Sequence, residues 1–296
     1  MDSWRADRQA FDIHRGWSSG LRGDWTRRWT AGFRYDRARF APADTALVGP
    51  LPDDRTLALP YMRLDLLQDD YVTAHNLDQI GRTEDLRFGT QLSAELGVSQ
   101  AALGANRNAF VASLGASRGY RLVHEQSLFL AGSWGSRLEG GSLRDSLLSV
   151  SSRYFWRASG KTVLFVGFAA DKGSALDLDH ELMLGGDTGL RGYPLRYQTG
   201  TARALLTVEG RYFTNWYPLR LARVGAAVFA DIGRTWGASA LAVPELGTLR
   251  DVGIGLRFGN TRSALGNVLH VDLAFPLDGD PSVKSMQFLL KTYKSF

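Results

Sequence analysis

The sequence has no cysteine, few lysines and no long apolar segment. Without cysteine the chain can form neither disulfides nor thiolate metal sites, and a cysteine nucleophile is excluded. The longest wholly apolar stretches run to about seven residues, as in 224–230. A membrane-spanning helix needs about 20 such residues, so a helical membrane protein is also excluded.

Basic residues are spread singly along the chain. There are 35 lysines and arginines against 30 acids, which gives a net charge of +5. Nucleic-acid binding usually needs a clustered basic face or run, so we expect no nucleic-acid partner. Residues 1–8 are polar and carry two acids, unlike a signal peptide, so we expect a mature-form or trimmed chain.

The sequence predicts no enzyme chemistry. The five histidines are scattered, and neither a zinc spacing nor a phosphate-binding glycine loop occurs, so we expect no cofactor and no metal site. Residues 16–20 and 115–119 match the G-x-S-x-G pattern of serine hydrolases, but neither match follows a strand and opens a helix. Chance matches are unsurprising with 33 glycines, and we predict no catalytic residue.

Long alternating segments are the main positive signal. Apolar and polar residues alternate from 86 to 98, over 13 residues. Strands of soluble sandwiches usually have about five or six residues, whereas tilted membrane strands have about 9 to 11. The pattern recurs between turn signals and predicts twelve strands, at 25–39, 57–71, 86–98, 107–120, 125–138, 146–156, 161–172, 202–213, 221–236, 249–259, 266–277 and 285–296.

The polar face of these strands decides between a soluble and a membrane barrel. It carries charges in mid-strand, and twelve strands enclose a lumen too wide for side chains to fill. The lower-energy arrangement turns the apolar face to lipid and surrounds a wet interior with the charges, which are Arg63, Asp65, Glu95, Glu209, Asp231, Arg257 and Asp272. We therefore predict an all-β fold, a transmembrane antiparallel β-barrel of about twelve strands over residues 23–296, in contact with the lipid of a bacterial outer membrane.

The N-terminal segment, residues 1–22, also alternates. Bacterial single-chain barrels generally close with an even number of strands. We therefore expect this segment outside the ring as a short helix or plug, with an extra strand as the alternative.

A glycine-rich connection of roughly 30 residues, 173–201, joins two of the predicted strands. Connections of this length are usually functional, and we predict that this one folds into the lumen. Arg191 lies at its tip, and strand parity turns Glu209 and Asp231 inward, where two carboxylates could hold a guanidinium. Acidic residues in its first part could bind a cation, but an exposed acidic stem is the favoured interpretation for Asp177, Asp179, His180 and Glu181.

Three motifs together resemble a known family. They are GGDTGLRGYP (185–194), VEGRYF (208–213) and FADIGRTWG (229–237). They are similar to the infolded loop and the two following strands of the superfamily of BamA, TamA and the two-partner secretion transporters, also called the bacterial surface antigen family. The resemblance is specific over roughly 161–296.

The resemblance also implies roles for individual residues. Arg191, Gly192 and Tyr193 would be the loop motif, and Glu209 and Asp231 would be the carboxylates that hold it. Phe288 and Phe296 would form the C-terminal aromatic signal that the barrel assembly machinery reads during insertion.

Members of this superfamily normally carry POTRA domains and sixteen strands, so we expect a short or trimmed member without POTRA domains. The implied function is insertion or translocation of a polypeptide client. The alternatives are a non-enzymatic structural or lipid-handling barrel, an anchor that forms a homodimer at the barrel seam, and the barrel portion of a patatin-type secreted lipase.

Overall fold

The computed structural model describes residues 4–43, 50–123, 125–238, 246–260, 267–278, 281 and 283–294. Nearly all regular structure in this part of the chain is β. No helix among these residues is long and apolar enough to cross a membrane.

Seventeen strands follow one another in the part of the chain that the structure describes. Their bounds are β1 Trp4–Arg22, β2 Trp25–Pro42, β3 Arg55–Gln68, β4 Tyr71–His75, β5 Thr83–Arg87, β6 Gln91–Ser99, β7 Ala109–Arg121, β8 Gln126–Glu139, β9 Ser142–Arg157, β10 Thr162–Ser174, β11 Leu182–Leu184, β12 Gln198–Gly200, β13 Ala202–Phe213, β14 Ala222–Trp236, β15 Leu249–Asn260, β16 Asn267–Pro276 and β17 Gln287–Lys294. Single 3₁₀ turns occur at Ala101–Leu103, Leu178–His180, Gly186–Thr188 and Pro218–Arg220.

Thirteen of these strands form one antiparallel sheet in the order β1-β2-β3-β6-β7-β8-β9-β10-β13-β14-β15-β16-β17. Each of the twelve predicted strands contributes to it at least in part, and the sheet has thirteen strands where about twelve were predicted. The thirteenth strand is Trp4–Arg22, which pairs with β2 from Trp4 to Arg22 and is neither a helix nor a plug. The even-number rule applies to closed single-chain barrels, whereas here the first and last strands of the sheet form no ladder with each other within the described residues.

The sheet curls around the connection between β10 and β13. Both edge strands contact this connection: Arg8 of β1 pairs with Asp179 at 2.9 Å. Lys291 of β17 donates from Nζ to the carbonyl oxygen of Asp187 at 2.6 Å. Since the two opposite edges of a thirteen-stranded sheet meet one segment, the concave side of the sheet is an interior.

The two faces of the sheet have the predicted orientation. On β14 and β15 the outward side chains are apolar, for example Val228 (60% exposed) and Ile254 (54% exposed). The inward side chains include the buried charges Asp231 and Arg257, each 2% exposed. The charged side therefore faces the interior and the apolar side faces outward.

The predicted strand 86–98 is two strands. Leu86 and Arg87 end a separate hairpin formed by β4 and β5, and the strand that enters the main sheet begins at Gln91. Phe88, between them, is buried at 4% exposure and packs 5.1 Å from the ring of Phe129. The alternation runs through the junction without a change of parity, which is why the pattern resembles one long strand.

Two connections enter the interior from opposite ends of the sheet. The first, residues 175–201, leaves from the end of β10, and we call it the infolded segment. The second is the β4–β5 hairpin, Tyr71–Arg87, whose Asn76 Nδ2 donates to the carbonyl oxygen of Gly160, in the turn at the other end of β10. We call these two ends of the sheet the loop end and the hairpin end.

Candidate functional site

The tip of the infolded segment is shaped by its own short hairpin. Strands β11 and β12 pair from Leu182–Gly200 to Leu184–Gln198, and the chain between them turns tightly. Leu190 is fully buried with a φ of +57°, in the left-handed region. This backbone turn places the next residue, Arg191, deep in the interior, at 8% exposure.

Arg191 is bound by carboxylates from three strands. Its Nε and Nη2 donate to the two carboxylate oxygens of Asp231 on β14, at 2.8 and 3.1 Å. Its Nη1 donates to Glu209 on β13 at 2.9 Å and to Asp272 on β16 at 3.3 Å. The guanidinium also lies 3.3 Å from the ring centroid of Phe229. Bidentate, charge-assisted contacts of this kind fix both the position and the plane of an arginine.

A second arginine, Arg257 on β15, shares two of these carboxylates. Its Nη2 donates to Glu209 at 3.0 Å, and its Nη1 donates to Asp272. We call Arg191, Arg257, Glu209, Asp231 and Asp272 the Arg191 cluster. The structure thus brings together the predicted Arg191, Glu209 and Asp231, and it adds an arginine and an aspartate to them.

Asp251 lies beside the cluster and makes no ion pair with any of the described residues. It is opposite Asp231 in the β14–β15 register and is fully buried. Neither of its carboxylate oxygens has a hydrogen-bond partner within the described residues. A buried carboxylate without donors is costly, especially beside another carboxylate.

Tyr193 attaches the segment to the loop end of the sheet. Its hydroxyl lies 2.8 Å from the carbonyl oxygen of Arg250 and 2.7 Å from that of Asp278, so its proton can be donated to either one. Its ring stacks on Tyr197 at 5.3 Å. The side chain is 1% exposed, and it therefore fixes the segment independently of Arg191.

Gly192 permits the close approach of the tip to the sheet. A Cβ at this position would lie 2.6 Å from Cβ of Asp251 and 2.9 Å from the backbone nitrogen of Pro276. Since one neighbour is backbone, the space cannot be made by a side-chain rotation.

We expect Gly192→Ala to displace the tip and to lower the free energy of unfolding by about 2 kcal/mol, the usual cost of overpacking. Gly160→Ala is the matched control, because a Cβ there has no atom within 4 Å. Chemical unfolding in detergent micelles would measure both variants. Equal stability of the two variants would contradict the close packing at Gly192.

The predicted acidic stem of the infolded segment is ion-paired. Asp177 binds Arg55 of β3 and Arg137 of β8, the latter at 2.8 Å. His180 contacts Asp145 of β9 at 2.9 Å. The stem is therefore held by charges from three further strands, and its aspartates neutralise arginines of the lumen wall.

We expect the stem to be held more firmly at acidic pH. The hydrogen bond to Asp145 raises the pKa of His180, which also faces Asp179 and Arg55. A raised pKa in the folded state stabilises that state below the unfolded pKa, about 6.5, and this stabilisation is lost as pH rises through the folded value.

His180→Gln keeps a hydrogen-bond donor but cannot gain a charge. The melting temperature of the wild type should exceed that of this variant most at about pH 5, and the difference should shrink towards pH 8. A difference that does not change with pH would exclude protonation of His180 as its cause.

The other sequence candidates among the described residues lie away from the Arg191 cluster. Phe288 is on β17 with its side chain 65% exposed, and Phe296 lies outside the described residues. The serines of the two G-x-S-x-G matches, Ser18 and Ser117, lie within strands β1 and β7 rather than at a strand-to-helix turn. Neither match therefore has the setting of a hydrolase nucleophile.

Comparisons with known proteins concern the fold. No protein-family model and no curated protein matches the chain. CdiB from Escherichia coli has a TM-score of 0.55 and 15% identity, over 96% of this chain and 52% of CdiB. CdiB from Acinetobacter baumannii has a TM-score of 0.51 and 15% identity, over 95% of this chain and 51% of CdiB. BamA from Haemophilus ducreyi lacking POTRA domains 1-3 has a TM-score of 0.38 and 12% identity, over 99% of this chain and 71% of BamA.

The chain shares the fold of the two CdiB proteins and spans about half of their length. CdiB belongs to the superfamily that the three sequence motifs resemble. The predicted resemblance is therefore confirmed at the level of the fold.

Proposed function

We propose that this chain is a barrel of the bacterial outer membrane that inserts or translocates polypeptides. The observation that carries the proposal is the way in which the interior is filled. A segment of 27 residues, 175–201, occupies the lumen and is bound there by the Arg191 cluster and by the ion-paired stem. These polar contacts can exchange with water or with another chain, although Leu190 and Tyr193 of the segment also pack in a small apolar cluster with Leu249 of β15.

The outward apolar face and the shared fold support the membrane location. Side chains such as Val228 and Ile254 face outward along the strands, as a surface in contact with acyl chains requires. The fold is that of CdiB, and Arg191 of the Arg-Gly-Tyr tip donates to Glu209 in the interior. Binding of the barrel assembly machinery stays a prediction, because Phe296 lies outside the described residues.

Reconstitution into liposomes tests the transport function. The purified protein should accelerate the folding of a test barrel into the bilayer, or should allow a polypeptide to reach the vesicle interior. An unrelated barrel of similar size at the same protein-to-lipid ratio is the control. Rates equal to this control in several lipid mixtures would contradict the proposal.

A dimeric anchor barrel is the second candidate, and the edge strand β1 favours it. This strand has 19 residues, lies at the edge of the sheet and exposes Phe11, Ile13 and Trp17. A long exposed edge is a template for pairing with another strand.

Cross-linking through β1 tests this candidate. Because the chain has no cysteine, Ile13→Cys gives a single reactive thiol. Disulfide-linked dimers in lipid would favour the dimeric anchor, and monomers would count against it. The lipid-handling barrel and the lipase barrel stay predictions.

A further inference from the structure

The β4–β5 hairpin extends across the interior of the curled sheet. It belongs to the connection between β3 and β6, yet its contacts are with strands far along the sheet order. Asn76 reaches the β9–β10 turn, and Arg82 donates to the carbonyl oxygen of Asn260 at the end of β15. Ile80 packs against Gly225 of β14 and Gly259 of β15. The hairpin therefore covers the hairpin end of the lumen from one wall to the other.

The hairpin is held by an apolar contact with the lumen wall. Its residues Ala74, Leu77 and Ile80 are at most 7% exposed, and they form one cluster with inward side chains of the wall. The wall side chains are Phe155, Val163, Phe213 and Val268. An apolar seal on an infolded hairpin excludes water, which a connection between two adjacent strands does not require.

A chain of ion pairs joins this hairpin to the infolded segment. Glu209 binds Arg191 through one carboxylate oxygen and Arg211 through the other, at 2.9 Å each. Arg211 also donates from Nη1 to the carbonyl oxygen of Leu77 at 2.8 Å and to Asp78 at 3.0 Å. Glu209 and Arg211 thus connect the tip of one insertion to the tip of the other.

The two insertions also line one cavity of about 410 Å³. Arg191 and Gly189 of the infolded segment contribute to its walls, and so does Asp78 of the hairpin. The segment enters from the loop end and the hairpin from the hairpin end. The cavity therefore lies between them.

We propose that the hairpin Tyr71–Arg87 is a plug that closes the hairpin end of the lumen and is coupled to the infolded segment through Glu209 and Arg211. This proposal rests on the proposed function only for the role of the plug, which is to control passage through the lumen. Movement of the infolded segment removes Arg191 from Glu209, and movement of the hairpin removes Leu77 and Asp78 from Arg211, whereas Glu209 and Arg211 bind each other. Opening of the two ends is therefore linked.

Ion conductance across a planar lipid bilayer tests the plug without any polypeptide. Replacing residues 72–86 by a short Gly-Ser turn should raise the steady conductance severalfold. Leu77→Ser/Ile80→Ser, which keeps the length of the hairpin but removes its apolar contact, should also raise it. The second variant carries the test if the first does not fold, as judged by its heat-dependent mobility on a semi-native gel.

An engineered disulfide that holds the plug in place should lower the conductance instead of raising it. A Cβ at Gly259 would lie 2.9 Å from Cβ of Ile80, and a small outward shift gives the separation of about 3.5 to 4.5 Å that a disulfide needs. Ile80→Cys/Gly259→Cys should suppress channel openings when oxidised and regain them with a reductant. The control pair, Ser93→Cys/Gly115→Cys, has a Cβ separation of 4.0 Å within β6 and β7 and should behave like the wild type in both states.

Folded plug variants with the conductance of the wild type would overturn the proposal. So would an oxidised Ile80–Gly259 cross-link that opens as often as the control pair. The transport assay is independent of these measurements. A gated conductance without polypeptide transport would contradict the proposed function alone, and transport through an ungated barrel would contradict the plug alone.

Discussion

Arg191→Ala is expected to destabilise the barrel by about 3 to 5 kcal/mol, the usual cost of removing one partner from a buried ion pair. The side chain of Arg191 is 10% exposed, and those of Asp231 and Glu209 are 1% and 4% exposed. Without the guanidinium, Asp231 retains a side-chain donor only in the Thr207 hydroxyl, at 2.7 Å, within the described residues. The remaining carboxylate charge is then buried without compensation.

Arg191→Lys should recover only part of this stability. An ammonium is a compact charge, and it cannot reproduce the planar fork that binds Asp231 through two nitrogens and Glu209 through a third contact. Heat-dependent mobility on semi-native gels and chemical unfolding would rank wild type, Lys and Ala in that order.

Arg121→Ala is the matched control for these substitutions. Arg121 also pairs with an aspartate, Asp70, but both side chains are exposed, at 49% and 37%. Exposed ion pairs contribute about 0 to 1 kcal/mol, so this variant should unfold close to the wild type. If Arg191→Ala were as mild as Arg121→Ala, the Arg191 cluster would not be what holds the infolded segment.

Strand parity explains why part of the Arg191 cluster is predictable. A period of two fixes the face of each side chain, so the sequence pattern alone turns Glu209 and Asp231 towards the interior. Parity does not fix the height of a residue along the barrel, which depends on the register of each strand pair. The same pattern predicts that Arg257 and Asp272 point inward, but only the β15–β16 register, which pairs Arg257 with His270, places them at the level of Arg191.

The plug hairpin, in contrast, is a feature that the sequence pattern does not predict. Residues 86–98 alternate without interruption, although Leu86 and Gln91 belong to different sheets. A strand that ends and restarts without changing parity leaves no mark on the alternation. The contacts of Leu77 and Ile80 with distant strands are likewise absent from any local pattern, because they depend on the curvature of the whole sheet.

Glu209→Gln is expected to have an effect comparable to Arg191→Ala, because three arginines share this carboxylate. Arg191 and Arg257 donate to Oε2 at 2.9 and 3.0 Å, and Arg211 donates to Oε1 at 2.9 Å. Glutamine keeps the shape but offers one acceptor oxygen and places an NH₂ donor against a guanidinium. We expect a loss of about 3 kcal/mol or more in the free energy of unfolding, together with loosening of both the infolded segment and the plug hairpin.

Asp251→Asn is the matched test of this charge argument. Unlike Glu209→Gln, it should not lower the free energy of unfolding. Asp251 is as deeply buried as Glu209, but it faces another carboxylate, Asp231, instead of an arginine. Asparagine at this position breaks no ion pair within the described residues, so stability should be unchanged or higher. Chemical unfolding of the two isosteric variants at neutral pH provides the comparison. If Asp251→Asn lost as much stability as Glu209→Gln, the cost would come from placing any amide in the interior, and the arginine contacts of Glu209 would not explain it.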